Sequence, residues 1–115
     1  MHFRYMEKEN ELAKIDVDYK TGAVTVENYT DDIILRPFGT KETDLTIDDF
    51  EYFMESRCFP RGRANAKQLL ADMGLASYDP VGIVMITNGK LWDDYFWVKV
   101  EGKDVEYERD VKLRD

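Results

Sequence analysis

Cysteine and histidine are almost missing from this chain. Cys58 is the only cysteine and His2 the only histidine in 115 residues. An intrachain disulfide is excluded, and so are zinc sites built from Cys and His. A Ser-His-Asp or Cys-His catalytic group would need His2, at the chain terminus, to fold inward. Long apolar runs are lacking too. No segment approaches the ~20 residues of a membrane span, and Met1-His2-Phe3-Arg4-Tyr5 opens no apolar run of signal-peptide length. One thiol and no such run lead us to expect a reducing, cytoplasmic setting. Basic residues are outnumbered, 16 Lys and Arg against 24 Asp and Glu, for a formal charge of -8. Phosphate backbones repel such a domain, so direct nucleic-acid binding is disfavoured. The acidity serves solubility, or it forms a face that meets a basic partner or imitates nucleic acid.

What is present suits one domain, residues 1–115. A chain of this length buries roughly two-thirds of its unfolded surface, and the 13% aromatic content supplies a core without staples. Leu12 to Tyr19 alternates, with Ile15, Val17 and Tyr19 on one face and Lys14, Asp16 and Asp18 on the other. Ala23 to Tyr29 alternates again through Val24 and Val26. Two period-2 runs around Gly22 predict a β-hairpin. Phe3 and Tyr5 fit an earlier short strand or a docked arm. Ile33-Ile34-Leu35 is a brief strand or an extended crossing segment, stopped by Pro37 and Gly39.

Helices are expected in the middle. Thr46 is an N-cap residue with Asp48 and Asp49 in the first turn. Ile47, Phe50, Phe53 and Met54 then keep helical spacing to about Ser56. Pro60 cannot continue that helix. A second helix is predicted from about Gly62 to Met73, with Ala66, Leu69, Leu70 and Met73 as its apolar stripe and Gly74 at C′. Asp79-Pro80 opens a third, to about Asn88, burying Val81, Val84 and Met85. Tyr95 to Val100 is β-branched and aromatic, hence a strand. After a turn at Glu101-Gly102-Lys103-Asp104, Val105, Tyr107, Arg109, Val111 and Leu113 alternate and predict a terminal hairpin. The fold class expected is α+β: antiparallel hairpins at both ends of the chain, packed with three short central helices.

Ser56 to Arg63 holds the residues hardest to explain by packing. Arg57, Arg61 and Arg63, with Lys67, form a basic knot between two helices. It could hold phosphate at a helix start, although it lacks the glycines and the Gly-Lys-Ser/Thr of a phosphate loop. Its other reading is structural, with arginines paired to carboxylates through their planar forks. Asp93-Asp94 is the obvious source of such a partner. Neighbours in an extended segment point apart, so the two are not expected to share an acid–base site. Between Glu42 and Glu55 lie Glu42, Asp44, Asp48, Asp49, Glu51 and Glu55 with no basic side chain. Asp44, Asp48, Asp49, Glu51 and Glu55 are the candidate partner surface, against the plainer reading of a solvated helix face. Cys58 would have a lowered pKa if exposed beside arginines; without a second thiol it reads as a small buried hydrophobe.

Arg57-Cys58-Phe59-Pro60-Arg61-Gly62-Arg63 resembles the Arg-x-x-Pro-x-x-Arg corner in the N-terminal region of HipA-like serine/threonine kinases from Firmicutes. Glu11-Leu12-Ala13 to Gly22 looks like their opening hairpin. Pro37-Phe38-Gly39 resembles a Pro-Val-Gly. Gly89 to Trp97 is similar to a Gly-Leu-Ser-Leu-Ser-Asp-x-Tyr-Trp segment, with Lys90, Trp92 and Asp93 where the serines are absent. The resemblance covers about Phe3 to Val100. In that family the region precedes the kinase domain that carries the ATP and catalytic residues, and no such residues carry over. The resemblance implies a module of toxin–antitoxin systems that binds and neutralises a kinase-type toxin, with no cofactor and no catalysis of its own. Charge and size favour an alternative: a small acidic phage or mobile-element inhibitor of a nucleic-acid enzyme, of the anti-CRISPR kind. Both readings make the chain a protein-binding regulator. Arg57, Arg61, Arg63 and Asp94 are expected to form its structural or anion-binding corner, with Asp94 accepting from Arg57 or Arg63.

Overall fold

The computed structural model describes residues 1–113. Among these the strands are β1 (His2–Glu7), β2 (Asn10–Asp18), β3 (Ala23–Asn28) and β4 (Phe96–Val100), and the α-helices are α1 (Ile47–Glu55), α2 (Ala66–Asp72) and α3 (Pro80–Thr87). The fold is α+β. The strands form one antiparallel sheet in the order β3-β2-β1-β4. The hairpin expected around Gly22 is β2–β3, and Gly22 takes the turn with φ +77°. Phe3 and Tyr5 belong to a full strand, β1, which runs between β2 and β4.

Alternation along the strands gives the sheet two different faces. Phe3, Ile15, Val17, Val24, Val98 and Val100 pack with Phe50, Phe53 and Met54 of α1 and Ile83 and Val84 of α3 in the main core. α1 forms because its apolar residues repeat at helical spacing and its start is a capping box: Thr46 Oγ1 accepts from Asp49 N, and Asp49 Oδ2 accepts from Thr46 N. The reverse face carries His2, Arg4, Lys14 and Lys99, and beside them a second small core. There Met6 and Trp97, paired across β1 and β4, pack with Val105, Tyr107 and Val111. Trp97 Nε1 donates to Lys8 O at 2.7 Å.

Four expectations are corrected. Ile33–Leu35 is a 3₁₀ turn, seeded by the Asp32 side chain accepting from Ile34 N at 3.1 Å, and Ile34 is 90% exposed. α2 begins at Ala66, because Pro60 to Ala66 is a chain of i→i+3 turns and the first α-type bond is Leu69 N to Asn65 O. Gly74 nevertheless ends it as expected, with φ +76° and Leu75 N bonded to Leu70 O. In α3 it is Ile83, not Met85, that lies inside with Val84; Met85 is exposed. Finally, the terminal hairpin does not form among the described residues. β4 pairs with β1, and Tyr107–Val111 is a single π-helical turn closed by Lys112 N to Tyr107 O at 2.8 Å.

The reason lies on the outer edge of β4. Phe96 N donates to Asp94 Oδ1, and Phe96 O accepts from Arg57. Val98 N donates to Asn88 O, and Val98 O accepts from Asn88 Nδ2. Val100 O accepts from Lys103 N. With these groups taken, the last segment cannot add a strand there. Its apolar residues cover Met6 and Trp97 instead.

Val111→Asp should place an unpaired carboxylate in that second core. In a Trp92→Phe background, which leaves Trp97 as the only indole, the expected result is red-shifted emission and a loss of on the order of 2 kcal/mol or more. Denaturant unfolding followed by fluorescence checks it.

Candidate functional site

The corner predicted from Ser56 to Arg63 is built around one buried cation. α1 stops at Glu55, and the next turn carries Arg57 inward, where it is 6% exposed. Its guanidinium is spanned by acceptors. Nε donates to Gly89 O (2.9 Å), Nη1 to Asp94 Oδ2 (3.0 Å), and Nη2 to Asp94 Oδ1 and Phe96 O (both 2.8 Å). The contact with Asp94 is the two-pronged carboxylate fork that arginine favours. The guanidinium carbon also lies 5.9 Å from the Phe96 ring centre. Asp94 reaches in from the loop before β4 with its side chain 28% exposed, while Asp93 points out to solvent.

Two backbone features let the chain approach so closely. Asn88 and Gly89 both take left-handed conformations, φ +61° and +63°, which turn the end of α3 sharply toward β4. A Cβ on Gly89 would sit 3.1 Å from Arg57 Cβ and 3.3 Å from Val98 Cγ2. Asn88 is itself buried, and its Oδ1 accepts from Lys103 Nζ at 3.0 Å. Sequence reasoning treated Asn88 only as the end of a helix. The adjacent Asn-Gly pair was the available signal, since both residues tolerate positive φ.

The other members of the basic knot do not join Arg57. Arg61 stacks 4.2 Å above the Tyr78 ring and donates to Glu55 Oε1 at 2.8 Å. Arg63 and Lys67 are exposed and make no ion pair among the described residues. The knot is therefore dispersed, and its one buried arginine already has its acceptors. Cys58 is buried and donates to Met54 O at 3.2 Å. Burial pushes its thiol up to about 12, with the Glu55 charge adding to it. Burial likewise raises the Tyr78 phenol to about 12.

The acidic candidates divide. Asp48, Glu51 and Glu55 fall on one stripe of α1 with Tyr52, which is 83% exposed. Glu55 is tied to Arg61. Asp49 is tied to Lys41 at 2.8 Å, and that hydrogen bond, with those of the cap, holds its carboxyl below the usual range. Asp44 is not on the helix; it sits before Leu45 in a left-handed conformation, φ +55°. Asp44, Asp48 and Glu51 form no salt bridge among the described residues. Tyr52 also borders a shallow hollow with Pro37, Phe38, Lys41, Asp49 and Phe53. Sequence reasoning did not single out Tyr52; its helical spacing from Asp48 and Glu55, off the apolar stripe, was the available signal.

Among the described residues no group of three or more His, Cys, Asp or Glu side chains could hold a metal ion. No helix among them is long and apolar enough to cross a membrane. No family model matches the chain, no curated protein matches it, and no solved structure matches its fold.

Arg57→Ala should cost ~3–5 kcal/mol, since it leaves the Asp94 carboxylate without its cation and the Gly89 and Phe96 carbonyls without their donor. Asp94→Asn should cost less, about 1–3 kcal/mol, because water reaches Asp94. Arg63→Ala should stay within about 0.5 kcal/mol; equal losses for Arg57 and Arg63 in chemical denaturation would contradict the geometry. For Cys58, the raised thiol pKa means that the folded protein keeps its proton at pH 8. Reaction with a soluble aromatic disulfide should be ~100-fold or more slower than in denaturant. The associated stability is present below the ordinary thiol value of 9.0 and is lost as pH rises toward about 12.

Proposed function

We propose that this chain is a non-enzymatic regulator that binds a basic surface on a partner protein through the exposed stripe of α1. The observation that carries the reading is Tyr52, 83% exposed between carboxylates at helical spacing. An aromatic anchor ringed by charge of one sign suits a protein interface: the ring supplies contact area, and the charges steer association. Asp48 and Glu51 are free of internal ion pairs among the described residues, so meeting a cation breaks no existing bond. Asp44 extends the same sign of charge, while Asp49 and Glu55 contribute from the flank. The net charge of -8 adds long-range attraction to a basic partner.

The resemblance of the Arg57–Arg63 corner to HipA-like kinases makes a kinase-type toxin the partner we put first. In this reading the chain is a stand-alone N-terminal-like module that neutralises the toxin. The tie between Arg57 and Asp94 supports the likeness, because it uses two positions that carry the resemblance. The alternative partner is a nucleic-acid enzyme whose basic channel the acidic stripe covers, as an anti-CRISPR-like inhibitor would. The stripe of Asp48, Glu51 and the partly buried Glu55 favours that alternative by its charge alone.

Calorimetry against a HipA-type kinase lacking its own N-terminal region tests the first partner, and against a CRISPR nuclease the second. Binding to either is expected to weaken at least tenfold in Tyr52→Ala and in Asp48→Lys/Glu51→Lys, with unchanged folding and a flatter salt dependence. Binding that survives both variants would remove α1 from the interface.

A further inference from the structure

The two edges of the sheet are finished differently, and the difference points to a second binding surface. On β4 the outward groups of Phe96 and Val98 and the carbonyl of Val100 are taken by Asp94, Arg57, Asn88 and Lys103. The opposite edge is β3. Val17 N bonds Met1 O, so the N–H and C=O groups of Lys14, Asp16 and Asp18 turn toward β3. Their partners Glu27, Thr25 and Ala23 turn inward, as does Tyr29, which bonds Leu12 O. Val24, Val26 and Asn28 therefore aim their backbone groups outward. Val24 is bridged to Leu45. Beyond the strand, Thr30 O is taken by Arg36 Nε at 2.9 Å. Between those two closures, the outward N–H and C=O of Val26 and of Asn28 have no partner among the described residues. The buried Asn28 Oδ1 has none either.

We propose that this open stretch of β3 pairs with an extended, basic segment of a partner protein, which adds a short fifth strand. Three observations select that occupant. First, Glu27 is exposed and lies between the two open residues, and Asp31 and Asp32 follow, all exposed. A lysine or arginine opposite Glu27 completes a cross-strand charge pair. Second, a second copy of this chain is disfavoured. With Val24 and Thr30 occupied, two-fold pairing limited to the open groups sets Val26 against Asn28 of the copy and Glu27 against itself, which opposes like charges. Third, the Arg36–Thr30 bond closes a tight loop whose tip is Ile33-Ile34. Ile34 is 90% exposed there and gives an apolar side chain of the incoming segment a contact at the end of the edge.

The surface is separate from the α1 stripe, and the experiment keeps the two apart. The probes are two blocked pentapeptides, Thr-Val-Lys-Val-Thr and Thr-Val-Glu-Val-Thr, added to the full chain while amide exchange is followed by NMR. Without peptide, the Val26 and Asn28 amides should exchange fast, and protein concentration should not change them. The lysine peptide should slow both saturably, about tenfold more effectively than the glutamate peptide, and Glu27→Lys should invert that preference. Val26→Pro, which an edge strand tolerates where its N–H faces out, should abolish the effect while β2–β3 amides stay protected. Asp48→Lys/Glu51→Lys should leave it unchanged. The proposal is overturned if neither peptide slows Val26 and Asn28, if Glu27→Lys leaves the preference as it was, or if slowing appears with protein concentration alone, which would mean self-pairing.

Discussion

The Arg57 guanidinium is the constraint on which the rest of the structure depends. It lies past the end of α1, yet its bonds go to the loop after α3 and to the entry of β4. A buried ion pair of this kind adds little stability over an apolar substitute of the same shape, because both charges lose water. What it supplies is direction. A guanidinium has fixed donor angles, so Gly89 O, Asp94 and Phe96 O must all arrive at their set places. That ties the ends of α1 and α3 to the start of β4, and it crowds Gly89, where a Cβ would need Arg57 or Val98 to give by a few tenths of an ångström.

Closing the β4 edge has consequences on both sides of the sheet. Unpaired edges invite association with other chains, and proteins block them with side chains or irregular backbone. Here Asp94, Arg57 and Asn88 do so, and the segment from Val105 to Val111 is turned onto the reverse face. Val105, Tyr107 and Val111 then bury Trp97 and Met6, which a four-stranded sheet with helices on one side would leave wet. One polar corner thus decides how a second apolar cluster forms. The β3 edge is left with closures only at its ends.

Surface charge follows a related logic. An acidic helix face is uniform in sequence, but its carboxylates are not equivalent once folded. Asp49 serves the helix cap and Lys41, and Glu55 holds Arg61 over Tyr78. Asp48 and Glu51 remain available beside Tyr52. The same distinction applies to the arginines: Arg57 is committed to the fold, Arg61 to a local stack, and Arg63 stays in solvent.

By itself the sequence determined whatever depends on near neighbours in the chain. Alternation specified the β2–β3 hairpin, helical spacing with Thr46 specified α1, and Gly74 specified where α2 ends. Pro60 barred the helix from continuing past the corner that carries Arg57. Charge and geometry also made Asp94 a natural partner for an arginine, although not which one. Tertiary structure decided the rest, because those choices turn on what is already occupied. Arg57 rather than Arg63 meets Asp94 because only Arg57 leaves the helix toward β4. Alternation from Val105 to Leu113 satisfies a strand as well as a buried turn; the occupied groups of Phe96, Val98 and Val100 rule out the strand. Ile33-Ile34-Leu35 is apolar enough for a strand, yet the Asp32 side chain caps it into an exposed turn. A residue's own sequence neighbourhood cannot reveal that its pairing partner has been taken by another part of the chain.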